Sequence, residues 1–173
     1  MYCYITVMQP LAYPDLYKHL FDSAPIGMAL VSLSGTWLEV NDSMCEITGY
    51  SRPELLSKTV SEITYEDDRQ LGIELLQSCM DGERCSYVTE KRYIRKDGSI
   101  TWVSLHVSLL KENGENAFFV GHIIDINERK AIELIMTDKN KELETFNKLM
   151  VDRELRMIDL KKENENLQGK VVN

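Results

Sequence analysis

Apolar and polar positions change period several times along this chain, and the changes mark out its elements. Residues 1–13 carry no periodic signal; they read as an N-terminal segment of unassigned role, the end of a linker or a strand of its own. Pro14 is placed to open a short helix with Leu16, Leu20 and Phe21 on one face, and Pro25 and Gly27 stop it. Two apolar runs follow, Met28–Leu33 and Thr36–Val40, split by Ser34-Gly35, which is a hairpin pattern. Asn41, Asp42 and Ser43 cluster as helix starters, Ser43-x-x-Glu46 has capping-box spacing, and Gly49 sits where helices end. Ser51-x-x-Glu54 repeats the box and predicts a second short helix through Leu56. A longer helix carries Leu71, Leu75 and Cys79 on one stripe. Its leading acids, Glu66, Asp67 and Asp68, complement a helix N-terminus rather than form an acid–base cluster.

From Tyr87 the period becomes two. Tyr87–Lys96, Ile100–Leu110 and Ala117–Ile126 read as strands joined by Asp97-Gly98 and Asn113-Gly114, dipeptides favoured in tight hairpins. The predicted order is β-β-α-α-α-β-β-β. The fold class is α+β, a five-stranded antiparallel sheet covered on one face by helices inserted between strands two and three, then a long C-terminal helix.

That last segment has heptad spacing. Position a falls on Met136, Leu143, Met150, Met157, Asn164 and Val171, and position d on Ile132, Lys139, Phe146, Arg153, Leu160 and Leu167. Nine of the twelve are apolar, which predicts a coiled-coil seam, and a single Asn at a fixes register in parallel two-stranded coils. A homodimer through this helix is therefore expected. Val151, Leu155 and Ile158 form a second stripe that fits a four-helix arrangement.

Composition narrows the function. The 173 residues suit one domain and an appendage, and a net charge of -8 disfavours nucleic acid. No run is apolar and long enough to cross a bilayer, and the first thirteen residues lack the basic start of a secretory signal, so a cytoplasmic protein without membrane insertion is expected. Cys3, Cys45, Cys79 and Cys85 form no C-x-x-C pair, so they read as idle thiols and no metal site is assigned. There is no G-x-S-x-G elbow, no H-E-x-x-H and no phosphate-binding glycine loop, so the expectation is a non-enzyme.

Six fragments taken in order carry a family resemblance. They are Ala24-Pro25-Ile26-Gly27; Asn41; Ile47-Thr48-Gly49-Tyr50-Ser51-Arg52; Asp67-Asp68; Arg95-Lys96-Asp97-Gly98 with Trp102; and Gly121–Ile126 with Glu128-Arg129-Lys130. Together they resemble a PAS domain from about Tyr17 to Lys130, of the kind found N-terminal to histidine kinase and other signalling modules. The resemblance implies a sensory domain over 14–130, with a pocket between sheet and helices, and a signalling and dimerisation helix over 131–173.

By analogy with flavin-binding relatives, the pocket is lined from the strands by Ala29, Val31, Tyr93, Val103, Leu105, Phe119, Gly121 and Ile123. The helices add Met44, Ile47, Leu56, Ile63, Leu71 and Leu75. The same residues serve equally as a filled core. Tyr93 is the expected polar contact.

The reactive cysteine of flavin light sensors maps onto Val60, between Thr59 and Ser61, which argues against a photoadduct. No histidine lies between His19 and His106, which argues against the usual haem. Flavin redox sensors with looser signatures stay open, so the cofactor is unassigned. His106 and His122 fall on neighbouring strands of the other face, with Trp102, Ser104 and Ser108, as a packed pair or a metal or acid sensor.

Asp125-Ile126-Asn127, where the family often has Asp-Ile-Thr, is the expected relay from the last strand into the helix. No histidine follows His122 and no cyclase motif follows, so the output is expected in a larger parent receptor or a separate effector such as a kinase. Three readings follow: a ligand- or redox-sensing module, a ligand-free dimerisation and docking module, and an enzyme with a site around Tyr93 and Thr48.

Overall fold

Strands alternate in burial because one face packs on a core and the other meets solvent. The structure, a computed structural model, describes residues 13–171, with side chains from 16 to 161. Segment 1–12 and the side chains of the heptad residues Asn164, Leu167 and Val171 lie outside the described residues.

The strands are β1 (Gly27–Ser32), β2 (Trp37–Val40), β3 (Ser86–Ile94), β4 (Ile100–Glu112) and β5 (Glu115–Asp125). They form one antiparallel sheet in the order β2-β1-β5-β4-β3. The register sets Val107 between Gly121 and Tyr87, and Leu105 between Ile123 and Thr89. Leu105, Val107, Tyr87 and Ile123 are buried on the inner face. Asn113 and Gly114 both take positive φ, 53° and 89°, and close the β4–β5 hairpin as their side chains permit.

Four helices lie between β2 and β3, where the pattern predicted three: α2 (Asp42–Thr48), α3 (Arg52–Leu56), α4 (Val60–Ile63) and α5 (Glu66–Met80). Helix α1 (Tyr13–Asp22) precedes the sheet; of its expected face, Phe21 is buried and Leu16 and Leu20 are exposed.

Of the helix starters Asn41, Asp42 and Ser43, the first caps α2: its Oδ1 accepts from Met44 N at 3.0 Å and from Met28 N at 2.8 Å. Its Nδ2 donates to the carbonyls of Phe21 and Ile26, both at 2.9 Å, so one buried amide ties α1, β1 and α2 together. Ser43 instead donates to Ala24 O at 2.7 Å. Helix α2 ends on Gly49 at φ 74°, a left-handed C-cap that a side chain resists. Its last carbonyls accept from Arg95: Nε to Ile47 O at 2.7 Å and an Nη to Glu46 O at 3.1 Å. The two family-like motifs around Gly49 and Gly98 are thus one contact. The capping box of Ser51 and Glu54 forms as expected, and Thr59 with Glu62 forms a second one on α4.

The chain divides into two units, residues up to Asn127 and residues from Glu128. The second is the helix α6 (Asn127–Val171), which begins before the expected boundary at Lys130 and rises about 67 Å at 1.5 Å per residue. Along it Met136, Leu143, Phe146, Met150, Met157 and Leu160 are exposed, as are Val151, Leu155 and Ile158.

Candidate ligand-binding site

A cavity of about 280 Å³ lies between the inner face of the sheet and the helices α4 and α5, slightly below the roughly 300–1,000 Å³ usual for ligand sites. Strand alternation supplies its floor and helical spacing its roof. Arg69, Gly72, Ile73, Leu76, Gln77 and Met80 of α5 reach it at i, i+3, i+4 steps. Ile73 is 54% exposed, so the cavity opens to solvent along this helix.

Of the residues assigned to the pocket from sequence, Val31, Tyr93, Leu105, Phe119, Gly121 and Ile123 line it. Ala29, Met44, Ile63 and Val103 are fully buried core, and Ile47 and Leu75 pack against that core without reaching the cavity. Two positions are corrected outright. Leu71 is 51% exposed: of the Leu71, Leu75 and Cys79 stripe, Cys79 is buried and Leu75 packs on the core, while Leu71 falls outside the face that α5 turns to the sheet. Leu56 is 38% exposed because its neighbour Leu55 takes the buried place.

The most unusual lining residue carries no motif in the sequence. Lys91 lines the cavity and is only 6% exposed. Strand β3 turns Tyr87, Lys91 and Tyr93 inward, so the alternation that buries the tyrosines buries the lysine as well. Its sole hydrogen-bond partner among the described residues is Thr64 Oγ1, at 3.4 Å, and its Nζ sits 4.9 Å from the centre of the Tyr93 ring. Burial lowers the ammonium pKa to about 8, with Asp68 pulling weakly the other way. Asp68 itself is held by Arg92, whose Nη2 and Nε donate to it at 2.7 and 3.0 Å; that pairing keeps the carboxyl below its ordinary range. The Tyr93 hydroxyl and the Trp37 indole N–H, both buried and both on residues that line this cavity, have no hydrogen-bond partner among the described residues. Arg69 also lines it, its Nε donating to Thr64 O at 3.0 Å.

The remaining candidates fall elsewhere. Thr48 donates to Met44 O at 2.8 Å and does not line the cavity, so it forms no site with Tyr93. Val60 lines the cavity between Thr59 and Ser61, whereas none of Cys45, Cys79 and Cys85 does. Burial pushes the thiols of Cys45 and Cys79 up, toward the unreactive protonated form. His106 and His122 are register partners on the outer face, and among the described residues no cluster of three or more metal-binding side chains forms. No helix among the described residues is long and apolar enough to cross a membrane.

Asp125 and Asn127 meet at the end of β5. Asn127 N donates to Asp125 Oδ1 at 2.8 Å. Asn127 Oδ1 accepts from Trp102 N at 2.9 Å, and its Nδ2 donates to Thr101 Oγ1 at 2.8 Å. The residue that begins α6 is therefore clasped to β4, one strand position from Val103 of the inner face.

A family model described as the PAS fold matches residues 15–126. The chain belongs to the PAS family. Its PAS domain is 34% identical over 120 residues to part of the probable diguanylate cyclase DgcE of Escherichia coli K12, covering 69% of this chain and 11% of that protein. It is 24% identical over 128 residues to part of the sensor histidine kinase TmoS of Ectopseudomonas mendocina, covering 73% of this chain and 13% of that one. Among solved structures, the PAS domain of an HTR-like protein from Haloarcula marismortui superposes with a TM-score of 0.56 at 26% identity, over 65% of this chain and 91% of that domain. The chain thus spans about an eighth of the length of the curated relatives it matches. The PAS fold is a sensory, non-catalytic one, and its relatives here sit in signalling proteins.

Proposed function

We propose that this chain is a cytoplasmic signal-sensing module in which a small molecule bound in the cavity controls the C-terminal helix. The sensory domain spans 14–130, and the signalling segment is α6 from residue 131 onward. The observation that carries the reading is a cavity lined by a buried lysine and two buried polar groups without partners, an arrangement that costs free energy in a mere core. Strand β4 contributes Leu105 and Val107 to the cavity, and two of its residues, Thr101 and Trp102, hold Asn127 at the head of α6. A ligand that prefers one setting of β4 shifts Asn127 and, through it, the helix; equal affinity for both settings would transmit nothing. The exposed heptad residues from Met136 to Leu160 supply the seam of a parallel homodimer, with Asn164 as its register residue. The effector is a kinase or cyclase in the same parent chain or a separate protein, as the likeness to TmoS and DgcE supports.

Native mass spectrometry of the purified protein beside a denatured sample tests this. A dimer with extra mass that disappears on denaturation is expected and gives the mass of the ligand. A bare dimer favours the alternative, a ligand-free dimerisation and docking module, and a bare monomer sinks the helix seam.

A further inference from the structure

The cavity is electrically lopsided. Lys91 brings a buried ammonium with three donors, of which one finds a long partner in the Thr64 hydroxyl. The nearest carboxylate that acts on it, Asp68, is committed to Arg92. Arg69, which like Lys91 bonds to Thr64, adds a second cation to the same end of the lining, and the hydroxyl of Tyr93, whose ring lies against the ammonium, has nothing to bond among the described residues. Buried charges in proteins are almost always paired. The rest of the wall, including Val31, Leu33, Leu76 and Phe119, is apolar. Strand order sets Trp37 on β2 and Lys91 on β3, at opposite edges of the sheet, so the cation lies at one end of the cavity and the indole at the other. A multiply charged anion fits poorly, because Asp68 already acts on the same lysine and most of the remaining wall is apolar.

We infer that the ligand is a small monocarboxylate with an apolar body, its carboxylate against Lys91 and its hydrocarbon part along the sheet toward Trp37. The inference rests on the reading of the cavity as a ligand site and names the class of that ligand. A carboxylate supplies acceptors for the ammonium and for the Tyr93 hydroxyl, replacing water lost on burial with charge-assisted hydrogen bonds.

Titration calorimetry of the full chain with sodium octanoate, 1-octanol and octylamine tests it, on wild type and on Lys91→Met. The expected result is octanoate binding at least tenfold tighter than octanol to wild type, with octylamine unbound. Lys91→Met is expected to abolish that preference while still taking octanol. Equal binding of octanoate and octanol to wild type overturns the inference but leaves the cavity a ligand site, and so does a preference unchanged in Lys91→Met. If none of the probes binds wild type, the inference also fails, while the sensory reading is decided separately by the mass spectrum of the purified protein. The wild-type comparison stands even if the variant does not fold.

Discussion

Replacing Lys91 with methionine, which has similar length and no charge, is expected to stabilise the protein, and to do so in a pH-dependent way. The groups that act on or touch Lys91 are Asp68 of α5, Thr64 at the end of α4, and the Tyr93 ring of its own strand. Burial lowers the folded-state pKa of Lys91 from 10.5 to about 8, which corresponds to a penalty of about 3 kcal/mol for holding the charge inside. Methionine removes that penalty and forfeits the Thr64 hydrogen bond and the contact with the Tyr93 ring, together worth about 1 kcal/mol, so a net gain of about 2 kcal/mol is expected at pH 7. The sign with pH follows from proton counting. Between about 8 and 10.5 the unfolded chain binds the proton that the folded one has released, so wild-type stability rises relative to the variant. The variant's advantage is therefore full below pH 8 and fades as pH approaches 10.5. Burial raises the phenols of Tyr87 and Tyr93 in both proteins, so their effect cancels in the difference. Urea unfolding of both proteins at pH 7, 8.5 and 10, at one protein concentration, reads it out. A difference that stays constant across that range, or a variant weaker at pH 7, would refute a desolvated ammonium at this position.

Three further outcomes are expected. Asn41→Ala removes four hydrogen bonds from a fully buried amide and leaves the Met28 and Met44 amides without their acceptor, a loss of about 3–5 kcal/mol visible as a lower urea midpoint with unchanged slope. Asp68→Asn weakens the hold on Arg92 by about 2 kcal/mol at pH 7; because the Asp68 pKa is depressed in the fold, that contribution is present above its unfolded value and is lost as pH falls through the folded one, so the two proteins converge in acid. Leu143→Asp with Phe146→Asp places four charges in the proposed seam and is expected to turn a dimer into a monomer in sedimentation; a dimer that survives would move the interface elsewhere.

The sheet was legible from sequence because two-residue alternation and the Asp97-Gly98 and Asn113-Gly114 turns leave little freedom in phase or register. The helical roof was less so. Apolar residues lie around α5 at Leu71, Ile73, Leu75, Leu76, Cys79 and Met80, so helical spacing alone does not tell which are covered; packing on the sheet buries Cys79 and leaves Leu71 and Ile73 half exposed. Leu55 and Leu56 present the same choice between neighbours. Helix α4 is a single turn, too short for periodicity, although Thr59-x-x-Glu62 is the same box that revealed α3. Lys91 escaped notice because lysines belong in water, yet the phase that placed Tyr93 inside applied equally to it.

The stretch from Thr59 to Tyr65 also decides how this sheet meets other molecules. It bonds to both margins of the sheet: Thr59 bridges Thr36 beside β2, Thr64 bridges Tyr93 of β3, and Tyr65 N donates to Arg92 O at 2.9 Å. At β3 these bonds occupy the outer edge at Arg92 and Tyr93, and with the Lys91 charge turned inward next to them they interrupt the ladder that an incoming strand would extend there. Pairing of a foreign strand along the end of β3 would therefore first have to displace the Thr59–Tyr65 stretch.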